Sequence, residues 1–433
     1  MNSSKSCPDT LALRFFWLLF LLPVSLVQAA GVPANPDLAQ LTLPQAVQLL
    51  RAGNHDLSLA GAAVTAASAD LDTAGERPNP ELSLSTNQIN LQGGGGGDLW
   101  QRPYDTIVAW QQPIERGGKR GLRQAVARAG LQAAAGDRQA VYRQQLAALY
   151  TAYYGLLDAQ QKLAISTTDA ESYRRSVAAA EKRLQAGDIA AADVARLRVD
   201  AARNENDARQ AESDREQARI VLARLLGQEA NAGQIGAGDS WPALAQPDLP
   251  ASVLDSLVAA QPEVQAAQAR VESARQAVDL ARAQQSRDVT LSVQYEHQPP
   301  GLENSVGVGV SVPILIGSNF QGEIRRAEAD LSTAQLSLDD VRSQIRSQLA
   351  AQHDSLVTSA SILERFRGDV LDNARKAADA AEFAYNHGAS GLMDLLDARR
   401  TLHAVQMDAL DAEAAYAGNL ATWNALLSPA ELQ

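Results

Sequence analysis

Residues 110–118 read WQQPIERGG and residues 310–318 read VSVPILIGS, so Pro113 and Gly117 recur as Pro313 and Gly317, each 200 positions later. The correspondence continues down the chain. RLQAGDIAAADV carries Gly187 and Asp193, and AYNHGASGLMDL carries Gly388 and Asp394, each 201 positions on. ARLLG, ending at Gly227, is matched by NALLS, ending at Ser428, again 201 later. A near-constant offset over half a chain is an internal duplication, and it decides the fold because each unit has to be read beside its copy.

Residues 228–250, between the copies, are rich in Gly and Pro and lack apolar periodicity, which marks a linker. The first repeat then covers residues 30–227 and the second 251–433, each reading as helix, two strands, long helix, helix. Thr42 with Gln45 opens the first as a capping-box pattern. Gly118-Lys119-Arg120 sits at a strand-to-helix join, where a phosphate-binding loop would lie. Two features exclude that loop: Arg120 occupies its Ser/Thr place, and the second join, VPILIGSNFQG, has no lysine at the position of Lys119.

The chain has 433 residues and a net charge of -12, which opposes binding to nucleic acid. Residues 1–29 read as a secretory signal: Lys5 and Arg14, an apolar run from Phe15 to Val27, then VQAAG. The one cysteine, Cys7, precedes that run, so a mature chain is expected to hold neither a disulfide nor an acyl anchor. No later segment offers the ~18 uninterrupted apolar residues of a spanning helix. An exported chain of this kind can still cross a membrane as a β-barrel. The histidines, His55, His297, His353, His387 and His403, are scattered. No metal site, cofactor or catalytic constellation is expected, hence no enzyme.

The strands come in pairs. VTLSVQYE (289–296) sets Val289, Leu291, Val293 and Tyr295 against Thr290, Ser292, Gln294 and Glu296; SVGVGVSV (305–312) alternates valine with Ser or Gly. Period-2 alternation fits a strand with one face in lipid and one in water. The first pair, about 82–89 and 106–112, alternates less regularly. NLQGGGGGDLWQRPY and HQPPGLEN then read as exposed hairpin tips.

Long helices follow each pair, at about 119–186 and 321–386. The first would reach ~102 Å at ~1.5 Å per residue. Tyr142, Leu149, Leu156, Leu163, Ala170, Val177 and Leu184 recur every seven residues along it, as do Leu349, Leu356, Leu363, Val370, Ala377 and Ala384 along the second. Such a seam predicts coiled-coil packing. In each repeat, two shorter helices laid end to end nearly match the long one, so each repeat is expected to form paired rods reversed at a Gly turn. Four strands cannot close a barrel, and an open edge in lipid leaves backbone groups unpaired. Copies must therefore share one: two would give about eight strands and a filled interior, three about twelve and an open lumen.

This doubled plan resembles the TolC-type outer membrane efflux family over essentially the whole mature chain. QPIERGGKR after the second strand is similar to its CzcC-like heavy-metal cation efflux branch. The resemblance implies a mainly α fold with a transmembrane β-barrel portion, twelve strands shared by a homotrimer in outer membrane lipid, and long α-helical hairpins forming a periplasmic α-barrel. It also implies a periplasmic adaptor and an inner membrane RND pump as partners. The helix-turn tips at Gly187, Asp188, Gly388 and Gly391 are expected to meet the adaptor. Asp394 and Asp397 fall where the family places entrance aspartate rings, and Tyr385 and Asp193 match its gate network, in which tyrosine bonds aspartate across neighbouring helices. Ser390 stands where the archetypal channel has arginine. Drug efflux and type I protein secretion share this architecture. A periplasmic adaptor with its own helical hairpin is the remaining alternative, but its lipoyl-like β segments have no counterpart in the alternating strand pairs.

Overall fold

The computed structural model describes residues 37–89, 104–245, 251–298 and 304–427. The expected signal segment, the glycine run Gly93–Gly97 and most of the second hairpin tip lie outside them. Leu38–Gln433 is one compact unit. Its elements are α1 (Leu43–Gly53), α2 (His55–Ala74), β1 (Glu81–Asn87), β2 (Asp105–Ile114), α3 (Lys119–Gln185) and α4 (Ala191–Leu226). The second half supplies α5 (Ala251–Ala259), α6 (Pro262–Ala283), β3 (Val289–His297), β4 (Ser305–Ser311), α7 (Gln321–Arg365), α8 (Leu371–Asn386) and α9 (Leu392–Leu427).

The four strands form one antiparallel sheet in the order β1-β2-β3-β4. The helices form a wall of four columns: α2 and α4 on one flank of α3, α6 and α9 on the other, and α7 with α8 beyond. Two buried amides join short helices into columns. Asn54 accepts the Leu57 N–H at the start of α2 (3.0 Å) and donates to the Leu225 carbonyl at the end of α4 (2.9 Å). Gln261, directly before α6, donates to the Leu426 carbonyl of α9 at 3.3 Å. Gly227 and Gly53 allow the first joint to close, since a Cβ on Gly227 would fall 2.2 Å from the Gly53 oxygen.

The seam of α3 is inside, with Tyr142, Leu149 and Leu156 no more than 1% exposed. The second seam departs from its seven-residue spacing. Residues 366–370 form a π-helical turn, in which Leu371 N–H reaches the Phe366 carbonyl five residues back. The extra residue rotates the buried stripe. Leu349, Leu356 and Leu363 are buried, Val370 is 41% exposed and Ala377 is exposed, and the stripe resumes eight residues after Leu363 at the half-buried Leu371, then at the buried Ala378. The helix expected over 321–386 is thus two helices around this turn.

Within the expected linker, residues 228–245 are strapped down. After a 3-10 turn at Glu229–Gln234, Ile235 and Ala237 are buried, and Leu41 pairs with Ala237 in a parallel bridge. Asp239 accepts from Leu43 N–H at 2.7 Å and lies 2.8 Å from the Tyr153 hydroxyl. Gln160 both donates to and accepts from Ala237. Farther on, the Ala245 N–H donates to the Tyr416 hydroxyl at 2.6 Å. Thr42 N–H also donates to Gln45 Oε1 at 3.0 Å, closing the start of α1.

Removing the joint amide tests the column account. Asn54→Ala leaves the Leu225 carbonyl and Leu57 N–H without their buried partner, and should cost about 1–3 kcal/mol in denaturant unfolding of the purified protein. Loss of less than a few tenths would show that the α2–α4 joint is held by packing alone.

Candidate functional site

The sheet has two chemically distinct faces, set by its register. Leu82, Trp110, Val293 and Val308 form one cross-strand row, and Leu84, Val108, Tyr295 and Val306 the next. All eight are exposed, with Val308 at 85%. The opposite face carries rows of Ser83, Ala109, Gln294 and Gly307, and of Ser85, Ile107, Glu296 and Ser305. An apolar belt on one side and a mainly polar, small-residue surface on the other is the pattern of a strand between lipid and water. None of the described helices is long and apolar enough to cross a membrane.

At the strand-to-helix join, Gly117 and Gly118 take positive φ of 73° and 71°, turning the chain into α3. Lys119 is buried and its Nζ holds both oxygens of Asp288 at 2.9 Å, while Arg116 N–H donates to Asp288 Oδ1 at 2.9 Å. The lysine that suggested a phosphate loop is therefore a latch between α3 and the start of β3. Arg123 pairs with Glu115 beside it.

Both far turns end their helices in the same way. Asp188 N–H reaches the Arg183 carbonyl (2.9 Å) and Gly187 N–H the Leu184 carbonyl (3.0 Å); Ala389 N–H reaches Ala384 (2.8 Å) and Gly388 N–H reaches Tyr385 (3.1 Å). This is a Schellman pair, with Gly187 at φ 82° and Gly388 at φ 72°. Asp394 closes the first turn of α9 by accepting from Gly391 N–H at 3.2 Å. Asp397, one turn on, is exposed, as is Asp188. The Asp193 carboxylate pairs with Arg196 (3.3 Å), and the Tyr385 hydroxyl accepts from Arg183 (3.3 Å). Within one chain, then, these two gate candidates are engaged separately. The Ser390 hydroxyl is buried with no hydrogen-bond partner.

Family membership is now plain from comparison. The family model for outer membrane efflux proteins matches residues 46–228 and again 253–428. The chain belongs to the outer membrane efflux protein family. It is similar to the cobalt-zinc-cadmium resistance protein CzcC of Cupriavidus metallidurans, 27% identical over 91% of this chain and 92% of that one. It is also similar to the pyoverdine export outer membrane protein OpmQ of Pseudomonas putida, 24% identical over 86% and 82%. Its fold matches the Campylobacter jejuni CmeC outer membrane channel with a TM-score of 0.72 at 15% identity, over 89% and 85% of the two chains. The sheet is accordingly the membrane part of an outer membrane efflux channel, and the family is one of channels, not enzymes.

Within this channel protein, a set of cross-hairpin contacts escaped the sequence reading. Arg400 of α9 reaches across to Asp200 of α4, 3% exposed, holding its oxygens at 2.6 and 2.7 Å. The Asp200 carboxylate in turn holds the Arg400 pKa above its ordinary value. Arg399 contacts Ser176 of α3 (3.3 Å) and Glu382 of α8 (3.1 Å), with its guanidinium 5.9 Å from the Tyr173 ring centre. His403 Nδ1 lies 2.6 Å from Asp169 of α3. The clue available in sequence was the bunching of Arg399, Arg400 and His403 on adjoining turns of one helix. Among the described residues, no group of three His, Cys, Asp or Glu side chains is placed to hold a metal ion.

The His403 contact gives a pH prediction. Its hydrogen bond to Asp169 raises the imidazole pKa above 6.5, more than burial lowers it, with Asp207 adding attraction. A raised folded pKa stabilises fully below the unfolded value and is lost as pH rises through the folded one. The thermal midpoint of the purified protein should exceed that of His403→Gln at about pH 6, and the margin should close by about pH 9. A margin independent of pH would assign the effect to packing.

Proposed function

We propose that three copies of the chain close one twelve-stranded barrel in outer membrane lipid, with their helical walls joined into a hollow periplasmic cylinder. The observation that carries this reading is where the exposed apolar side chains lie. On the helices they concentrate along the two outer columns: Leu59 on α2, Val199 and Ile220 on α4, Leu336 on α7 and Phe383 on α8, all at least 54% exposed. Those columns are the free edges of the wall, and a ring of copies covers both. Two copies would supply only eight strands, whose interior side chains fill.

The cylinder is a passive exit duct, operating with a periplasmic adaptor and an inner membrane RND pump. Its tips at Gly187, Asp188, Gly388 and Gly391 meet the adaptor. Asp193, Tyr385, Asp394 and Asp397 line the entrance, where three-fold symmetry turns each aspartate into a ring of carboxylates that attracts cations and repels anions. Similarity to CzcC supports heavy-metal cations as the exported class. Similarity to OpmQ supports an organic substrate as the second reading.

Single-channel recording in planar bilayers, with oligomer mass measured in detergent, tests the duct directly: a conducting trimer is expected, and a water-soluble monomer that never inserts would overturn it. Converting Asp394 and Asp397 together to Ala should weaken cation selectivity and relieve block by multivalent cations. Unchanged selectivity and block would remove both residues from the entrance.

A further inference from the structure

Where the sheet gives way to the helices, a cavity of about 760 Å³ opens between the chain entering β1 and the end of β2. Its wall includes Arg77, Pro78, Pro80, Gln112, Ile114 and Arg120. The volume falls within the ~300–1,000 Å³ typical of small-molecule sites. The register shows where its apolar part lies. Gln112 stands opposite Leu291 and Ile114 opposite Val289, on the same face as Trp110 and Val293, so these are the last two rows of the belt toward the helices. Pro78 and Pro80 continue that wall, and the Gln112 amide donates to the Pro78 and Pro113 carbonyls at 3.0 and 2.9 Å. Beyond the apolar wall stand Arg77 and Arg120. The belt face meets lipid tails, so the step past its last row lies in the headgroup layer.

The charges at this join are unequally matched. Lys119 and Arg123 have carboxylate partners in Asp288 and Glu115. The side chains of Arg77 and Arg120 form no hydrogen bond or ion pair among the described residues, and Arg120 Nε is buried without a partner. Glu115 also lines the cavity, but its charge is offset by Arg123, and neither Glu76 nor Glu81 reaches the lining. Two uncompensated guanidiniums in a partly enclosed site call for an anion, and their planar forks match phosphate.

The internal duplication shows that the fold does not need these arginines. Arg77 lies three residues after Ala74, the end of α2, and Ser286 lies three after Ala283, the end of α6. Arg120 lies seven residues after Pro113, and Phe320 seven after Pro313. The second join is thus built on the same plan with neither arginine. We propose that the cavity is a phospholipid site, in which Arg77 and Arg120 hold the phosphate of an anionic lipid from the leaflet on the helical side. The wall of Pro78, Pro80 and Ile114 separates a lipid from a free phosphate ion, because a dissolved ion gains nothing from apolar surface continuous with the belt. The site requires only that the sheet lies in the bilayer and is independent of how many copies share a barrel.

Native mass spectrometry of the detergent-purified protein tests the site, with dioleoyl-phosphatidylglycerol, dioleoyl-phosphatidylcholine or inorganic phosphate added. One phosphatidylglycerol per chain should survive removal of the detergent, in clear excess over phosphatidylcholine, and inorganic phosphate should not displace it. Arg77→Gln and Arg120→Gln should each weaken retention about fivefold, the effect of removing one basic residue from an anionic lipid surface. Arg209→Gln, on an exposed part of α4, should leave retention unchanged. Arg77 is itself exposed and unpaired, so its variant decides the matter should Arg120→Gln impair assembly. Equal retention by wild type and Arg77→Gln, or equal retention of the two lipids, overturns the role of the arginines. Displacement by inorganic phosphate overturns the lipid and leaves a site for soluble anions.

Discussion

A peptide N–H or C=O left unpaired in hydrocarbon costs several kcal/mol, and a four-stranded sheet has two edges lined with such groups. Everything in this chain that faces lipid is organised around that penalty. The apolar belt of Leu82, Trp110, Val293 and Val308 fits a bilayer interior, yet β1 and β4 would each enter it with a bare edge. One chain cannot close its own sheet. Closure by copies, as proposed, would enclose a lumen lined by rows that are mainly serine, glycine, alanine and glutamine, with Ile107 and Glu296 among them.

Closing the sheet fixes what the helices must do. Each copy feeds four chain segments out of the membrane region, and the wall below needs four columns of similar length to continue the ring. The long helices supply two columns directly, and end-to-end pairs supply the other two. Stacking helix ends buries polar carbonyls, and Asn54 and Gln261 resolve the problem by donating side-chain amide hydrogens to Leu225 and Leu426. The strap from Ile235 to Ala245 runs beside these joints, tied to Tyr153 of α3 and Tyr416 of α9. Columns, joints and strap are tied to one another between the membrane sheet and the long tips.

The strands, the long helices and both glycine turns were legible because each writes a local pattern: period two for a sheet between lipid and water, period seven for a buried seam, glycine where φ is positive. The π turn was not, since Val370 and Ala377 continue the seven-residue count although the backbone has gained a residue. The strap was hidden because its buried residues, Ile235 and Ala237, occur singly among glycines. Of the candidate site, the sequence placed Asp394 and Asp397 one turn apart on α9. It could not show that the Asp394 carboxylate accepts a hydrogen bond from a helix-end N–H. Arg400 with Asp200, and His403 with Asp169, are separated by hundreds of residues, and no spacing rule connects them.

That last difference bears on how the tip carries charge. Asp394 already accepts from Gly391, and the basic residue one turn beyond Asp397, Arg400, directs its guanidinium to both oxygens of the buried Asp200. Asp397 has no hydrogen bond or ion pair among the described residues and remains exposed, feeling Arg400 only as a neighbouring charge. An exposed carboxylate attracts a passing cation through high-dielectric water, where attraction at ~4 Å amounts to about 1 kcal/mol. A duct needs attraction of this weak order, strong enough to favour entry and too weak to retain what enters. Under the entrance role proposed above, the buried Asp200 pair ties α9 to α4 and leaves the exposed Asp397 carboxylate to meet the cation.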